Sequence, residues 1–433
     1  MDAINEYLRL LAARQTLGQK SVAVGGFSQL SSEEQAQLVR LQQTADEVLR
    51  SRIQTDPEAS LSLLMTLLDR RDTLGEHRRL VDYVPAHGLS HVFESCLPAL
   101  GMDHKEAEAA GLYLHYLTLN KLQDQAPELF YEHLPVLLSE KDWLRLDAWR
   151  GVGLRMSGEL RREFECPSAD RAWAQGCLER SGAVENYDFL AQALGVHQLD
   201  EAGMEMHDGH WRALYPEVCY HILPSSSDLQ AHNVTAPAHM HLDDLSWRID
   251  GEGMQAEYWG AEGPKCPHCD YNLQHLLTLR NPVPGVALQT PITFVVCTYC
   301  MIGDRPTIFV HDEHGLPERP EYHGLGFDET RGYDFSDLDR ETYKFPHQGL
   351  PVQLKATPPR WLFQNNFNDS QNMNRVGGLP SWLQGPEWET CPKCQQTMLF
   401  VFQLHDGLAY TNGIIYGFWC SSCRISAILN TYT

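Results

Sequence analysis

The chain has 433 residues, of which 43% are apolar and 21% charged, a balance that excludes global disorder and leaves room for two or three domains. Against 57 acidic residues stand 34 basic ones, a net charge of −23. That surplus argues against a protein that works by neutralising nucleic-acid phosphates or an anionic membrane surface, and it permits a basic protein partner.

The opening Met1-Asp2-Ala3-Ile4-Asn5-Glu6 has neither the basic nor the apolar part of a targeting segment. The longest apolar run, Leu61 to Leu68, is far short of the roughly 18 residues of a membrane span. The expectation is a cytoplasmic protein with no membrane partner, whose twelve cysteines are not a disulfide framework. Val24-Gly25-Gly26-Phe27 is too short to cradle a phosphate. Leu38, Leu41, Ala45, Val48, Leu49 and Ile53 recur at helical spacing, and Ser31 with Glu34 forms a capping box ahead of them. Further helices are expected near 57–71, 88–99, 104–123, 126–139 and 141–163, with Pro or Gly between them. Residues 1–204 therefore read as an all-α domain. No fixed period of a named helical repeat is present.

From about residue 205, Gly, Pro, His, Trp and Tyr rise and helical periodicity ends. The fold class is α+β: a helical domain followed by a β-rich, duplicated zinc-binding domain over 205–433. Within it, repeat one covers about 205–303, an acidic insertion 304–344, and repeat two about 345–433. Ile292 to Val296 and Thr307 to Val310 read as short strands, and the acidic insertion as a long surface loop. Three clusters have metal-ligand residue types: His207 to His210, His239-Met240-His241 with Asp243 and Asp244, and His311 to His314. An H-x-H on a strand puts both imidazoles on one face. This supplies an alternative reading, a metal-dependent hydrolase or oxygenase with His239, His241 and Asp243 as a second class of metal site. No partner motif stands at a diagnostic spacing. No P-loop, nucleophile elbow or H-E-x-x-H is present, so no catalytic residue is assigned.

Cys96, Cys166, Cys177 and Cys219 are scattered and read as small buried hydrophobes. The other eight form four C-x-x-C pairs: Cys266/Cys269, Cys297/Cys300, Cys391/Cys394 and Cys420/Cys423. The first two pairs have 27 residues between them and the last two 25, room for two strands and a loop. Each C-x-x-C turn points two thiolates at one metal, and a second turn brought alongside by a hairpin completes a tetrahedral four-sulfur site. The expectation is two structural zinc ions, one per set. Redox chemistry at a single C-x-x-C is the competing reading, and four such pairs in two matched sets speak against it.

The sets look like copies. CPHCDYNLQHLLTL starts at Cys266 and CPKCQQTMLFVFQL at Cys391, with an apolar run beginning seven residues on, at Leu273 and Met398. Each set closes with aromatic and β-branched residues leading into its second pair. Duplication and convergence on the turn that zinc demands both explain this.

The second set has a run-up, Asn374 to Gln384, containing Gly377, Gly378, Pro380 and Trp382, and a strand with Met398, Phe400, Phe402, Gln403 and Leu404. Over 374–423 this resembles the bacterial YwqG-like family and, more distantly, the eukaryotic programmed-cell-death-2-like proteins. The resemblance does not reach the helical half. It implies an accessory, immunity, chaperone or adaptor protein that contains zinc, rather than an enzyme. In physical terms Gly377 and Gly378 suit positive φ, while Trp382 and Gln384 offer either a partner surface or a packing anchor. Few basic residues flank the ribbons, so nucleic acid is not the expected partner. The leading expectation is a zinc-stabilised protein-binding module whose acidic surface faces a protein partner, a basic client or a cognate toxin.

Overall fold

The structure, a computed structural model, describes residues 3–23, 26–53, 56–71, 75–141, 143–167, 170–224, 254–258, 262–265, 272–279, 283–286, 288, 290–296, 306–320, 350–356, 374–405 and 413–432. It is α+β: helices fill the N-terminal part and a large antiparallel sheet the C-terminal part.

In chain order the helices are α1 (Ala3–Ala23), α2 (Ser32–Val48), α3 (Pro57–Asp69), α4 (Leu89–Cys96), α5 (His104–Ala109), α6 (Tyr113–Gln125), α7 (Leu134–Glu140), α8 (Ser157–Glu165), α9 (Arg171–Arg180) and α10 (Val184–Leu194). The capping box before α2 is formed: Ser31 accepts from the Glu34 N–H, and Glu34 accepts from the Ser31 N–H. Asp56 caps α3 ahead of Pro57, and Asp103 with Glu106 boxes α5. Glycines cut the helices shorter than their periodicity suggests. The run expected over 104–123 divides around Gly111, at φ 69°. The run expected over 141–163 becomes a 3-10 turn, Trp143–Trp149, and α8, separated by Gly151 and Gly153, both at φ 68°. Gly195, at φ 69°, ends α10.

The described residues divide into two compact units. One is built on Met1–Gln123 and Pro135–Arg145, with α1 to α5 and most of α6 and α7; the other on Asp124–Leu134 and most of the chain from Leu146 onward. The first has an apolar interior, including Leu63, Leu64, Val81, Val92, Leu114 and Leu119, that encloses an ion pair between Lys121 and Asp82 at 3.6 Å.

The second unit joins α8, α9 and α10 to the strands. These are β1 (Gln198–Leu199), β2 (Met204–His207), β3 (His210–Ala213), β4 (Cys219–Pro224), β5 (Met254–Tyr258), β6 (Glu262–Lys265), β7 (Asn272–Leu279), β8 (Ile292–Val296), β9 (Thr307–His311), β10 (Pro317–Pro320), β11 (Leu350–Ala356), β12 (Arg375–Gly377), β13 (Leu399–His405), β14 (Gly413–Cys420) and β15 (Ile425–Tyr432). β1 to β3 form a small sheet of their own. The rest run β10-β9-β15-β14-β13-β12-β4-β11-β5-β7, with β6 and β8 both on β7. At the centre β4 pairs with β11; β4 also pairs with β12, and β11 with β5. The head of the acidic stretch is therefore not loop: β9 and β10 form a hairpin that extends the sheet through β15, because Ile308 and Phe309 pack against it. Residues 321–349 lie outside the described ones.

Hairpins β7–β8 and β13–β14 share one register. Gln274 opposes Val296 and Leu399 opposes Trp419, in each case five residues after one cysteine and one residue before another. Both hairpins slip register at the same place, between His275 and Leu277 and between Phe400 and Phe402. Both faces of β13 to β15 are covered. Phe402, Leu404, Ile415, Trp419 and Ile428 join one core; Phe400, Ile414, Tyr416, Phe418 and Ala427 join another. Burial on both faces explains why these strands read as nearly continuous apolar runs.

Candidate metal centre

Cys391 and Cys394 sit on a short hairpin, held by a Cys391 N–H to Gln396 carbonyl bond and a Met398 N–H to Glu389 carbonyl bond. β14 delivers Cys420 from the other side, and the turn into β15 carries Cys423. Each C-x-x-C turn ends on a non-glycine residue in the left-handed region, Gln395 at φ 59° and Arg424 at φ 54°. Such backbone costs of order 1 kcal/mol or more and persists where surrounding structure demands it. Both residues stand directly after the second thiol of their pair.

The four sulfur atoms all lie within 4.8 Å of one another, and Cys394 Sγ is 3.6 Å from Cys420 Sγ. A tetrahedron of sulfurs about 2.3 Å from a zinc ion has edges of about 3.8 Å, so the donor set fits a four-coordinate metal. Cys391 and Cys420 are buried; Cys394 and Cys423 are half-buried. Burial pushes the Cys420 and Cys423 thiols up. Burial opposes ionisation of Cys394 too, but the Gln396 N–H and the neighbouring thiols outweigh it and hold that thiol below its ordinary value. A metal here would displace protons from the cluster, as any thiolate site requires.

Beneath the thiols lies the aromatic cluster of the second core. Trp382 packs on Trp388 (5.2 Å between centroids), Tyr416 (4.9 Å) and Phe418 (6.3 Å, nearly parallel). Its ring is half-buried, whereas Gln384 is exposed. The run-up that leads here has a second purpose. Gly377 and Gly378 both take positive φ, at 76° and 74°, as their residue type suggests. A Cβ on Gly377 would collide with the Val218 carbonyl. Arg375 is fully buried and donates to Ser381 Oγ (3.0 Å), Gln403 Oε1 (3.3 Å) and the Leu379 carbonyl. Gln403 also accepts from the Ser381 N–H at 2.9 Å. Burial lowers the pKa of Arg375, yet a guanidinium stays protonated in proteins. Ser381 and Gln403 are thus parts of a polar clamp around one cation.

The other candidates are placed as follows. Cys266, Cys269, Cys297 and Cys300 lie outside the described residues, as do His239, His241, Asp243 and Asp244. His207 and His210 are described, and they flank an exposed hairpin turn: Asp208 and Gly209 have φ 49° and 79°, the signature of a tight two-residue loop. The third cluster is taken apart by the fold. His311 is buried, facing the Gly315 carbonyl (3.0 Å) and Ser426 Oγ (2.8 Å), while Asp312 accepts the His314 and Leu316 N–H groups and His314 is exposed. Among the described residues, only the four C-terminal cysteines converge as a metal-ligand group. Cys96, Cys177 and Cys219 are buried as expected; Cys166 is exposed, because it stands just beyond the end of α8.

Sequence reasoning missed how the centre is held from outside. Thr397 Oγ1 donates to the Glu205 carboxylate at 2.7 Å and lies 3.0 Å from Gln198 Oε1. Trp388 Nε1 donates to the Asp200 carbonyl at 3.0 Å. These partners are nearly 200 residues away in sequence, and no local pattern announces them.

No family model matches the chain, and comparison with solved structures found no match. A curated protein of Salmonella typhimurium, described only as the uncharacterized protein YpfL, is 29% identical over 181 residues, 40% of this chain and 39% of that protein. The chain thus matches well under half the length of this relative.

Proposed function

We propose that Cys391, Cys394, Cys420 and Cys423 hold a structural zinc ion, and that the chain is a cytoplasmic protein-binding module of immunity, chaperone or adaptor type. The observation that carries this reading is the convergence of four sulfurs from two turns. Four protein ligands fill a tetrahedral shell and leave no position for water or substrate, so the site folds the chain and does not catalyse. The free thiols packed into a core suit a reducing compartment, and no described helix is long and apolar enough to cross a membrane.

A second zinc ion belongs to Cys266, Cys269, Cys297 and Cys300. The shared register and shared slip of β7–β8 and β13–β14 favour duplication over convergence. Zinc demands only the turns; it does not demand a bulge six to eight residues beyond the second cysteine of the first pair. The resemblance of residues 374–423 to the YwqG-like and programmed-cell-death-2-like families supports an accessory or adaptor role. The charge of −23 supports a basic protein partner, whose approach would be steered electrostatically.

The test is to immobilise the zinc-loaded full chain and measure association with basic proteins purified from a cell extract, at low and high salt. A stoichiometric complex whose association rate falls steeply with salt supports the reading. Association that is indifferent to salt, or no complex with a basic protein, contradicts it.

A further inference from the structure

The hairpin that carries the first two thiols touches the β1–β3 sheet with both of its arms. Three residues before Cys391, the Trp388 indole donates to the Asp200 carbonyl and its ring closes over Gly203. Gly203 has φ +61°, and a Cβ there would come within 2.9 Å of the Trp388 ring. Three residues after Cys394, Thr397 holds Glu205 at 2.7 Å and reaches Gln198 at 3.0 Å. Glu205 also takes the Arg212 guanidinium at 2.6 Å, so β2 and β3 are tied to the same point.

Each partner in this contact leans on its neighbours: Trp211 of β3 donates to Asp188 of α10 at 2.9 Å and packs on Tyr187, and Met398 of the hairpin is in the second core. β1, β2 and β3 have two, four and four residues, and β2 and β3 are only half-buried or exposed. Such a sheet needs packing from elsewhere to persist. The hairpin over 389–398 is short, with few backbone bonds across it, and isolated hairpins are marginal in water. Core packing of Trp388 and Met398 holds its arms, and the junction between its two thiols and the two of β14 and the following turn holds its tip. Beyond the small sheet the chain is anchored independently: the Phe400 N–H donates to the Leu214 carbonyl, and the Gly378 N–H to the Pro216 carbonyl.

We propose that metal occupancy of the four-cysteine site is coupled to docking of the β1–β3 sheet, so that the site is a latch on residues 198–213. This rests on reading the cluster as a metal site. Loss of metal undocks the small sheet while Leu214 onward stays on β13, and α8 and α9 keep their fold. A partner or a chelating ligand that empties the site would thereby remodel a surface made by a different part of the chain.

The test is hydrogen exchange on the full chain, zinc-loaded and chelator-stripped, with zinc measured in each sample. The expected result on stripping is amide exchange at least about tenfold faster across β2 and β3, with α8 and α9 unchanged. Thr397→Val keeps all four thiols and removes the hydroxyl contact; it should speed exchange in β2 and β3 while zinc stays bound. Unchanged β2 and β3 exchange in both the stripped protein and the variant overturns the latch alone. Simultaneous loss of protection in α9 on stripping also overturns it, because the site would then hold the whole unit. A chain that takes up no zinc overturns the metal reading and the latch together.

Discussion

The ring of Phe402 on β13 lies against the backbone of Gly417, its register partner on β14. Phe402 is fully buried and packs on Phe294 of β8, 4.8 Å between centroids. The equivalent pair in the other hairpin is Leu277 with Phe294. One hairpin thus places its large side chain on the first strand and the other on the second, and the two rings meet in one core.

Gly417→Ala forces a methyl into the Phe402 ring. Phe294 already packs against that ring. Overpacking of this kind costs about 1–3 kcal/mol. Urea unfolding of the variant should show that loss without loss of bound zinc. A neutral substitution would mean that the contact relaxes freely.

Arg375→Lys removes the planar fork that reaches Ser381, Gln403 and the Leu379 carbonyl together. Leaving buried acceptors short of donors costs about 1–3 kcal/mol each. The expected outcome is a loss of at least about 2 kcal/mol, read by chemical denaturation, with zinc still bound in the native state. Unchanged stability would refute the clamp.

His311 supplies a pH dependence. Burial, partly offset by the Gly315 carbonyl, lowers its pKa to about 4, against about 6.5 in the unfolded chain. The unfolded state therefore binds the extra proton between those limits. The contribution is fully present above about pH 6.5 and is lost as pH falls towards 4, amounting to about 2 kcal/mol by pH 5. A metal held by the four thiols would add its own acid sensitivity, so the imidazole is best followed directly by NMR. It should stay neutral through pH 5. Titration near its ordinary value would contradict the burial.

Cys391→Ser or Cys420→Ser leaves three sulfurs and removes a buried ligand at the base of the aromatic cluster. Metal binding energy is folding energy in such sites. The expected outcome is loss of zinc from this site and a lower melting temperature, with the 389–398 hairpin and β1 to β3 losing protection ahead of α8 and α9. A serine variant with unchanged zinc content and melting temperature would refute the site.

Much of this was legible along the chain. The four C-terminal cysteines, the capping box at Ser31 and Glu34, and the positive φ of Gly377 and Gly378 are local signals, and the structure realises them. What stayed hidden is long-range. His311 looked like part of an exposed His/Asp cluster, because its burial depends on Ser426, 115 residues away. The docking of Glu205 on Thr397 depends on a separation of 192 residues. The helices expected over 104–123 and 141–163 were overextended because apolar spacing runs on across Gly111, Gly151 and Gly153, where the backbone turns.

The most direct test of the central claim is the zinc content per chain of the full protein purified without added metal, by native mass spectrometry, together with the number of reactive thiols. The account predicts two zinc ions and only Cys96, Cys166, Cys177 and Cys219 outside them. One ion would keep the C-terminal site and contradict the duplication. No zinc, with all twelve thiols reactive once the chain is unfolded, would contradict the account at its root.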